Sequence, residues 1–179
     1  MKLSYLGHAC VHIKSEKNER GLLFDPWIFG GSWAETLRLR KEWDPKSKIF
    51  QNSDILISHA HSDHLQAKSL RSLCELERRT IFIPKYNHGN YFLERVKSIC
   101  GDISDIFEIE DLNDIEINSF NVKTILNDLG DHDASFFVDI DNFYIFFQTD
   151  NLMSINYAEA FRKKNNLSKK IDIAFMMFY

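Results

Sequence analysis

At 179 residues, with 44% hydrophobic side chains and fifteen phenylalanines, the chain is long enough to bury a core of its own. Its 22 basic and 26 acidic residues give a net charge of −4 and no Lys/Arg-rich footprint, which argues against a nucleic-acid partner. No apolar run approaches the roughly 18 residues of a membrane span, and Met1-Lys2-Leu3-Ser4-Tyr5 enters strand pattern directly, so a cytoplasmic protein without leader or anchor is expected.

Residues 2–25 read as strands. Leu3–Leu6 and Ala9–Ile13 flank a close turn at Gly7-His8, and a polar reversal through residues 17–21 returns the chain along Leu22-Leu23-Phe24. Asp25-Pro26 stops that strand, since proline cannot continue the ladder. Cys10, Cys74 and Cys100 lie far apart without a Cys-x-x-Cys pair, so neither a disulfide framework nor a zinc ribbon is expected. Cys10 and Cys74 sit in apolar patterns and read as buried thiols.

Residues 27–52 show no clear period. They interleave Trp33 and Trp43 with Arg38, Arg40 and Lys41, beside Gly30-Gly31. One reading is a short solvated helix from Trp33 to Lys41. The other is a wall of a binding pocket, in which Trp33, Arg38, Arg40 and Lys41 recognise an anionic group on a small-molecule substrate.

From Ser53 the chain is apolar, Ile55-Leu56-Ile57, and then changes character at His59, His61, Asp63 and His64. A short buried strand ending in a polar turn places these side chains at a sheet edge. Imidazole nitrogen and carboxylate oxygen are the natural ligands of zinc and similar ions, and alternate residues of an extended segment point the same way. His59 and His61 are therefore expected to share one ion, with Asp63 and His64 aimed toward a second.

A helix over residues 66–77 follows, with Ala67, Leu70, Leu73 and Cys74 on one face, and then a buried strand over Thr80–Pro84. Phe92, Val96 and Ile99 line a second helix, stopped by Gly101, with His88 before its start as a cap or exposed residue. Short strands are expected over 106–109, 115–117 and 120–124, the last two as half-exposed strands at a sheet edge. A hairpin runs from Ala134 through Asp141-Asn142 to Phe147, with His132 before it and Asp150 after it. A helix over 154–164 and an apolar strand from Ile171 close the chain.

The run His59-x-His61-x-Asp63-His64 resembles the signature of the metallo-β-lactamase superfamily. The N-terminal Leu6-Gly7-His8-Ala9-Cys10 and Phe24-Asp25-Pro26-Trp27 are similar to one branch, which holds the ascorbate-6-phosphate lactonase and the hydrolase-like domain of CMP-N-acetylneuraminate hydroxylase. The resemblance implies an α/β fold, the four-layer αββα sandwich, formed here by residues 1–179 as one domain. It also implies that His132 completes the first site, Asp150 bridges two ions, and Asp63 orients or deprotonates the attacking water. His8 becomes a group beside the metal or facing the substrate. The cofactor is one or two divalent ions, zinc first, with manganese or iron as alternatives.

The family's usual last histidine is absent, all seven histidines lying at or before His132. The expectation is a domain lacking the last part of the usual fold, completed by a missing segment or in an oligomer. The function implied is metal-dependent hydrolysis of a lactone, phosphodiester or amide. Two alternatives accompany it. One is the hydrolase-like part of a sialic acid hydroxylase system with a separate Rieske partner, because neither Cys74 nor Cys100 has a histidine three positions on. The other is an inactive binding module.

Overall fold

In the computed structural model, residues 1–17, 19–87, 89–126, 133–151, 163–164 and 171–176 are described. The expectations for His88 and His132, and most of the helix over 154–164, lie outside these residues; Lys163 and Lys164 are helical.

Two sheets form the body. The first has the order β1 (Lys2–Gly7), β2 (Cys10–Lys14), β3 (Gly21–Phe24), β6 (Ser53–Leu56), β7 (Thr80–Pro84) and β8 (Asp105–Ile109). Its opening hairpins are antiparallel, and from β3 onward the neighbours run parallel. The second has the order β13 (Ile173–Met176), β12 (Phe143–Thr149), β11 (Ala134–Ile140), β10 (Phe120–Leu126) and β9 (Asp114–Ile117), antiparallel except for the β12–β13 pair. β10 lies between β9 and β11 rather than at an edge, which corrects the expectation for its position; of the two, β9 is the one at an edge.

The two-residue period of a strand decides which layer each side chain joins. Leu23, Ile55, Ile57, Ile81 and Ile83 point to one face of the first sheet, where helices α1 (Ala67–Leu76) and α2 (Tyr91–Cys100) supply Leu70, Leu73, Val96 and Ile99. Leu22, Phe24, Leu56 and Phe82 point to the other face and meet Val122, Phe136, Val138, Ile145 and Phe147 of the second sheet. β3 and β6 are covered on both sides, which is why they read as unbroken apolar runs. Phe24 joins the sheets, stacked on Phe147 at 4.3 Å between ring centroids and edge-on to Phe136 at 5.6 Å. Ile125, Phe137, Tyr144 and Phe146 form a separate cluster on the far face of the second sheet. Helix layer, sheet and sheet are thus the first three layers of the αββα order.

The expected helix from Trp33 to Lys41 is not formed. The segment makes a small hairpin, β4 (Gly31–Ser32) with β5 (Leu37–Arg38), because Trp33, Ala34 and Glu35 all take left-handed backbone angles that no α-helix allows. All three cysteines are free and buried. No helix among the described residues is long and apolar enough to cross a membrane.

His12 is a core residue. It is 3% exposed, hydrogen-bonded to Ser53 Oγ at 3.0 Å, and its ring fills the space that a side chain at Gly21 would need. Burial first, then the charges of Lys14, Lys2 and Arg79, lower its imidazole to about 4. The folded value lies below the ordinary value of about 6.5, so the unfolded chain takes up the proton first as pH falls. Stability from this residue is complete above about pH 6.5 and is lost as pH drops toward 4, by roughly 3 kcal/mol at most. Urea unfolding of wild type and His12→Gln at pH 7 and 4.5 checks this: the variant is expected to lose less stability between the two, and equal losses would refute it.

Candidate metal centre

The site lies where four strand ends meet, on the carboxyl side of the parallel strands, the usual position for a site in such a sheet. Asp25 directly follows β3, and β6 leads into Ser58 and His59. In the second sheet, Asp133 precedes β11 and Asp150 follows β12. The Gly7-His8 turn between β1 and β2 brings His8 to the same rim. Three of these corners are strained: His8 has φ 48°, Asp25 φ 40° and Thr149 φ 53°. Non-glycine residues hold such angles only where surrounding contacts impose them. Asp25 N donates to Leu56 O at 3.0 Å, and Thr149 Oγ1 donates to Ala134 O at 2.5 Å.

His59 stands at the middle. Its Nε2 lies 2.8 Å from His61 Nδ1, 3.6 Å from Asp133 Oδ1 and 3.6 Å from Asp150 Oδ2. His64 Nε2 lies 3.5 Å from Asp150 Oδ1 and 3.9 Å from Asp63 Oδ2, and His61 Nδ1 lies 3.8 Å from Asp150 Oδ2. Within each of the sets His59/His61/Asp133, His59/His64/Asp150 and His8/Asp63/His64, the ligand-type atoms lie within 4.8 Å of one another. Atoms about 2.1 Å from a common ion sit roughly 3 to 4 Å apart, so these spacings suit a shared cation.

A second layer of polar groups sets the tautomers. Asp25, fully buried, accepts from Ser58 N, Ser58 Oγ and His64 Nδ1, each at 2.7 Å. Since the Ser58 hydroxyl donates to Asp25, it accepts from His59 Nδ1 at 2.9 Å. Both histidines thereby place their protons outward and leave their Nε2 lone pairs facing inward. Tyr86 Oη donates to Ser58 O at 2.8 Å, and burial, then Asp133 and Asp25, push its phenol far above the ordinary range.

Asp63 is held at both oxygens. His8 Nε2 contacts Oδ2 at 2.8 Å and Trp33 Nε1 donates to Oδ1 at 2.9 Å. Burial opposes the charge of Asp63, but the bond from His8 and the proximity of His64 outweigh it and keep the carboxyl below its usual value. The Trp33 ring also leans over His61 at 5.4 Å.

The donor set fits a divalent ion. Among the described residues, His64 Nε2 and Asp150 Oδ1 are both buried and without a hydrogen-bond partner, a costly arrangement unless a cation lies beside them. Among the described residues, the ion-pair contacts of Asp25, Asp63, Asp133 and Asp150 are with histidines, with no Lys or Arg among them. Burial alone would lower His64, yet Asp25 and Asp150 outweigh it and carry the imidazole up to about 10. At Asp150, His59 and His64 likewise overcome burial and hold the carboxyl well below its usual range. The pocket therefore holds positive charge at neutral pH, as a proton or as an ion in its place. Imidazole and carboxylate suit zinc, manganese and iron alike.

The structure brings His8, His59, His61, Asp63, His64 and Asp150 together, with Trp33 against them. Arg38, Arg40 and Lys41 line a different cavity of about 700 Å³, on the side of His8 and Trp27. Arg38 faces Glu35 at 3.5 Å and Lys41 sits over the Trp43 ring at 4.1 Å. Sequence reasoning passed over Asp25, Ser58 and Asp133. A strand ending in Asp-Pro was the one visible sign of Asp25, and Asp133 adjoins the more conspicuous His132.

Comparison with known proteins places the family and the fold. A family model described as beta-lactamase superfamily domain matches residues 2–173. The cytidine monophosphate-N-acetylneuraminic acid hydroxylase of Danio rerio is 37% identical over 73 residues, which are 40% of this chain and 12% of that protein. CmlA, a diiron β-hydroxylase from Streptomyces venezuelae, superposes with a TM-score of 0.69 at 20% identity, covering 97% of this chain and 34% of CmlA. The metallo-beta-lactamase fold protein YhfI of Bacillus subtilis gives a TM-score of 0.54 at 11% identity, over 79% of this chain and 54% of YhfI. The chain thus spans about a third of CmlA, and its match to the zebrafish hydroxylase covers about an eighth of that protein. By the family model, the two-sheet fold and the clustered histidines and aspartates, the chain belongs to the metallo-β-lactamase superfamily.

Proposed function

We propose that residues 1–179 act as one domain, a metal-dependent hydrolase of a small, anionic organic substrate. The observation that carries this reading is that the buried His64 Nε2 and Asp150 Oδ1 face each other at 3.5 Å with no hydrogen bond among the described residues, set among carboxylates whose ion-pair contacts are with histidines. His59, His61, His64, Asp133 and Asp150 would hold the ion or ions, with His132 as a further ligand implied by family resemblance. A divalent ion bound there supplies Lewis acidity and a water acidic enough to attack at neutral pH. Asp25 and Ser58 keep the His59 and His64 lone pairs aimed inward. Asp63, fixed by His8 and Trp33, stays ionised and orients the proton of the attacking water. Trp33, at the mouth, shields one side of the site from bulk solvent.

The test is hydrolysis of a panel of lactones, phosphodiesters and amides by the protein loaded with zinc, manganese or iron and after chelation. Turnover of one class that disappears with the chelator and returns with metal supports the reading. Absence of turnover with every loaded metal contradicts it and favours a binding module.

The match to the zebrafish hydroxylase supports a second reading, in which the chain forms part of a hydroxylase acting on a nucleotide sugar, with redox groups on another domain or protein. Iron in preference to zinc after purification from cells supplied with both metals, together with visible absorbance, would favour it.

A further inference from the structure

We infer that Arg95, steadied by Tyr91, is the specificity-determining residue of this site: it seats a carboxylate or phosphate of the substrate, whose apolar body lies among Trp33, Tyr86 and Phe92. The hydrolase reading enters only in naming that ligand a substrate.

A cavity of about 1110 Å³ is lined by His59, His61 and Asp133 and also by Arg95, Tyr91 and Phe92 of α2. Tyr91 and Arg95 are four residues apart, one helical turn, and so share a face. Arg95 Nη1 donates to Tyr91 Oη at 2.9 Å, which fixes the plane of the guanidinium. Arg95 Nε is buried and has no hydrogen-bond partner among the described residues. Arg20, Arg38, Arg78 and Arg79 each face a carboxylate within 3.5 Å; Arg95 has no such partner among the described residues.

An arginine carries five donors in a rigid planar fork that matches the paired oxygens of a carboxylate or phosphate. Here the second Nη1 donor and both Nη2 donors have no partner among the described residues, in a cavity that also holds part of the candidate metal cluster. The remaining walls are rings and small apolar groups: Trp33 is 47% exposed and Tyr91 67% exposed, both open to a ligand, with Ala34 and Ala60 beside them. Such a pocket, with an oriented cation on apolar walls beside the Asp133 carboxylate and the histidines, selects by charge and by shape. An organic anion seated on Arg95 would share the cavity with His59 and His61. Arg38, Arg40 and Lys41 face the other cavity and are in no position to take this part.

The test uses the full chain and matched probes: 4-phenylbutanoate and benzylphosphonate as anions, 4-phenylbutanamide as the neutral analogue. Isothermal titration is run on metal-free and zinc-loaded protein, so that an anion seated on the ion is told apart from one seated on Arg95. Wild type is expected to bind at least one anion tenfold or more tighter than the amide, with or without zinc. In Arg95→Gln the preference is expected to vanish; Arg95→Lys should restore it in part, and Tyr91→Phe should weaken it several-fold while leaving amide binding alone. If Arg95→Gln misfolds by circular dichroism, the Lys and Phe variants still decide. An unchanged preference in Arg95→Gln, a preference lost instead in the Arg38→Ala/Arg40→Ala/Lys41→Ala triple variant, or no preference in wild type overturns the inference. Since no turnover is read, an inactive protein with an intact preference would sink the hydrolase reading alone.

Discussion

His59→Ala is expected to abolish metal-dependent turnover, with a fall of at least about a thousandfold in kcat/KM, and to strip the bound ion. Among the described residues His59 lies at the centre of the cluster: its Nε2 has His61, Asp133 and Asp150 within 3.6 Å, and its ring packs 4.1 Å from that of His64. Removing it takes away the ligand common to both clusters that would hold an ion between the sheets. The fold itself should survive, because the ring borders the cavity rather than filling the core. The check is metal content by mass spectrometry beside activity and circular dichroism. A folded variant that keeps its metal and its activity would mean that His59 is not a ligand.

Asp25→Ala is expected to act on stability and on metal affinity together. Asp25 is fully buried and accepts from Ser58 N, Ser58 Oγ and His64 Nδ1. Truncation leaves these donors without a partner in a dry interior, at a cost of about 3–5 kcal/mol. It also frees the His59 and His64 rings to turn, and losing such an orienting group weakens metal binding roughly 10- to 100-fold. Asp25→Asn keeps the volume but presents an amide donor toward Ser58 or His64, so it should fold better than Asp25→Ala yet still bind metal weakly. Urea unfolding and competition with a chromophoric chelator measure the two effects separately. Loss of stability with unchanged metal affinity would reduce Asp25 to a structural residue.

How far the sequence could be read depended on whether the relevant order was local. The Ile55-Leu56-Ile57 strand, the helix on Leu70 and Leu73, and the hairpin around Asp141-Asn142 all carry their period or turn chemistry within a few residues, and each is found where expected. The clustering of His59, His61, Asp63 and His64 was legible for the same reason. Asp25 was not, because its role arises from the parallel pairing of β3 with β6, which sets it beside Ser58 across 33 positions of sequence. Trp33 to Lys41 misled in a different way: its composition tolerates a helix, but Trp33 N and Ser32 Oγ are tied to Ser62 Oγ, at 3.0 and 2.7 Å, and that tertiary contact turns the chain into a hairpin. Whether Arg38 and Arg95 share a cavity with the histidines is likewise a property of three-dimensional packing, and no spacing in the chain announces it.

Anomalous diffraction at the zinc edge, from crystals of the full chain grown with zinc, tests most directly whether these separate loops converge on a cation. A peak about 2 Å from His59 Nε2, with His64 or His61 and an aspartate completing the set, is the expected result. A map with no peak there, or with the ion held wholly by side chains outside this cluster, would contradict it.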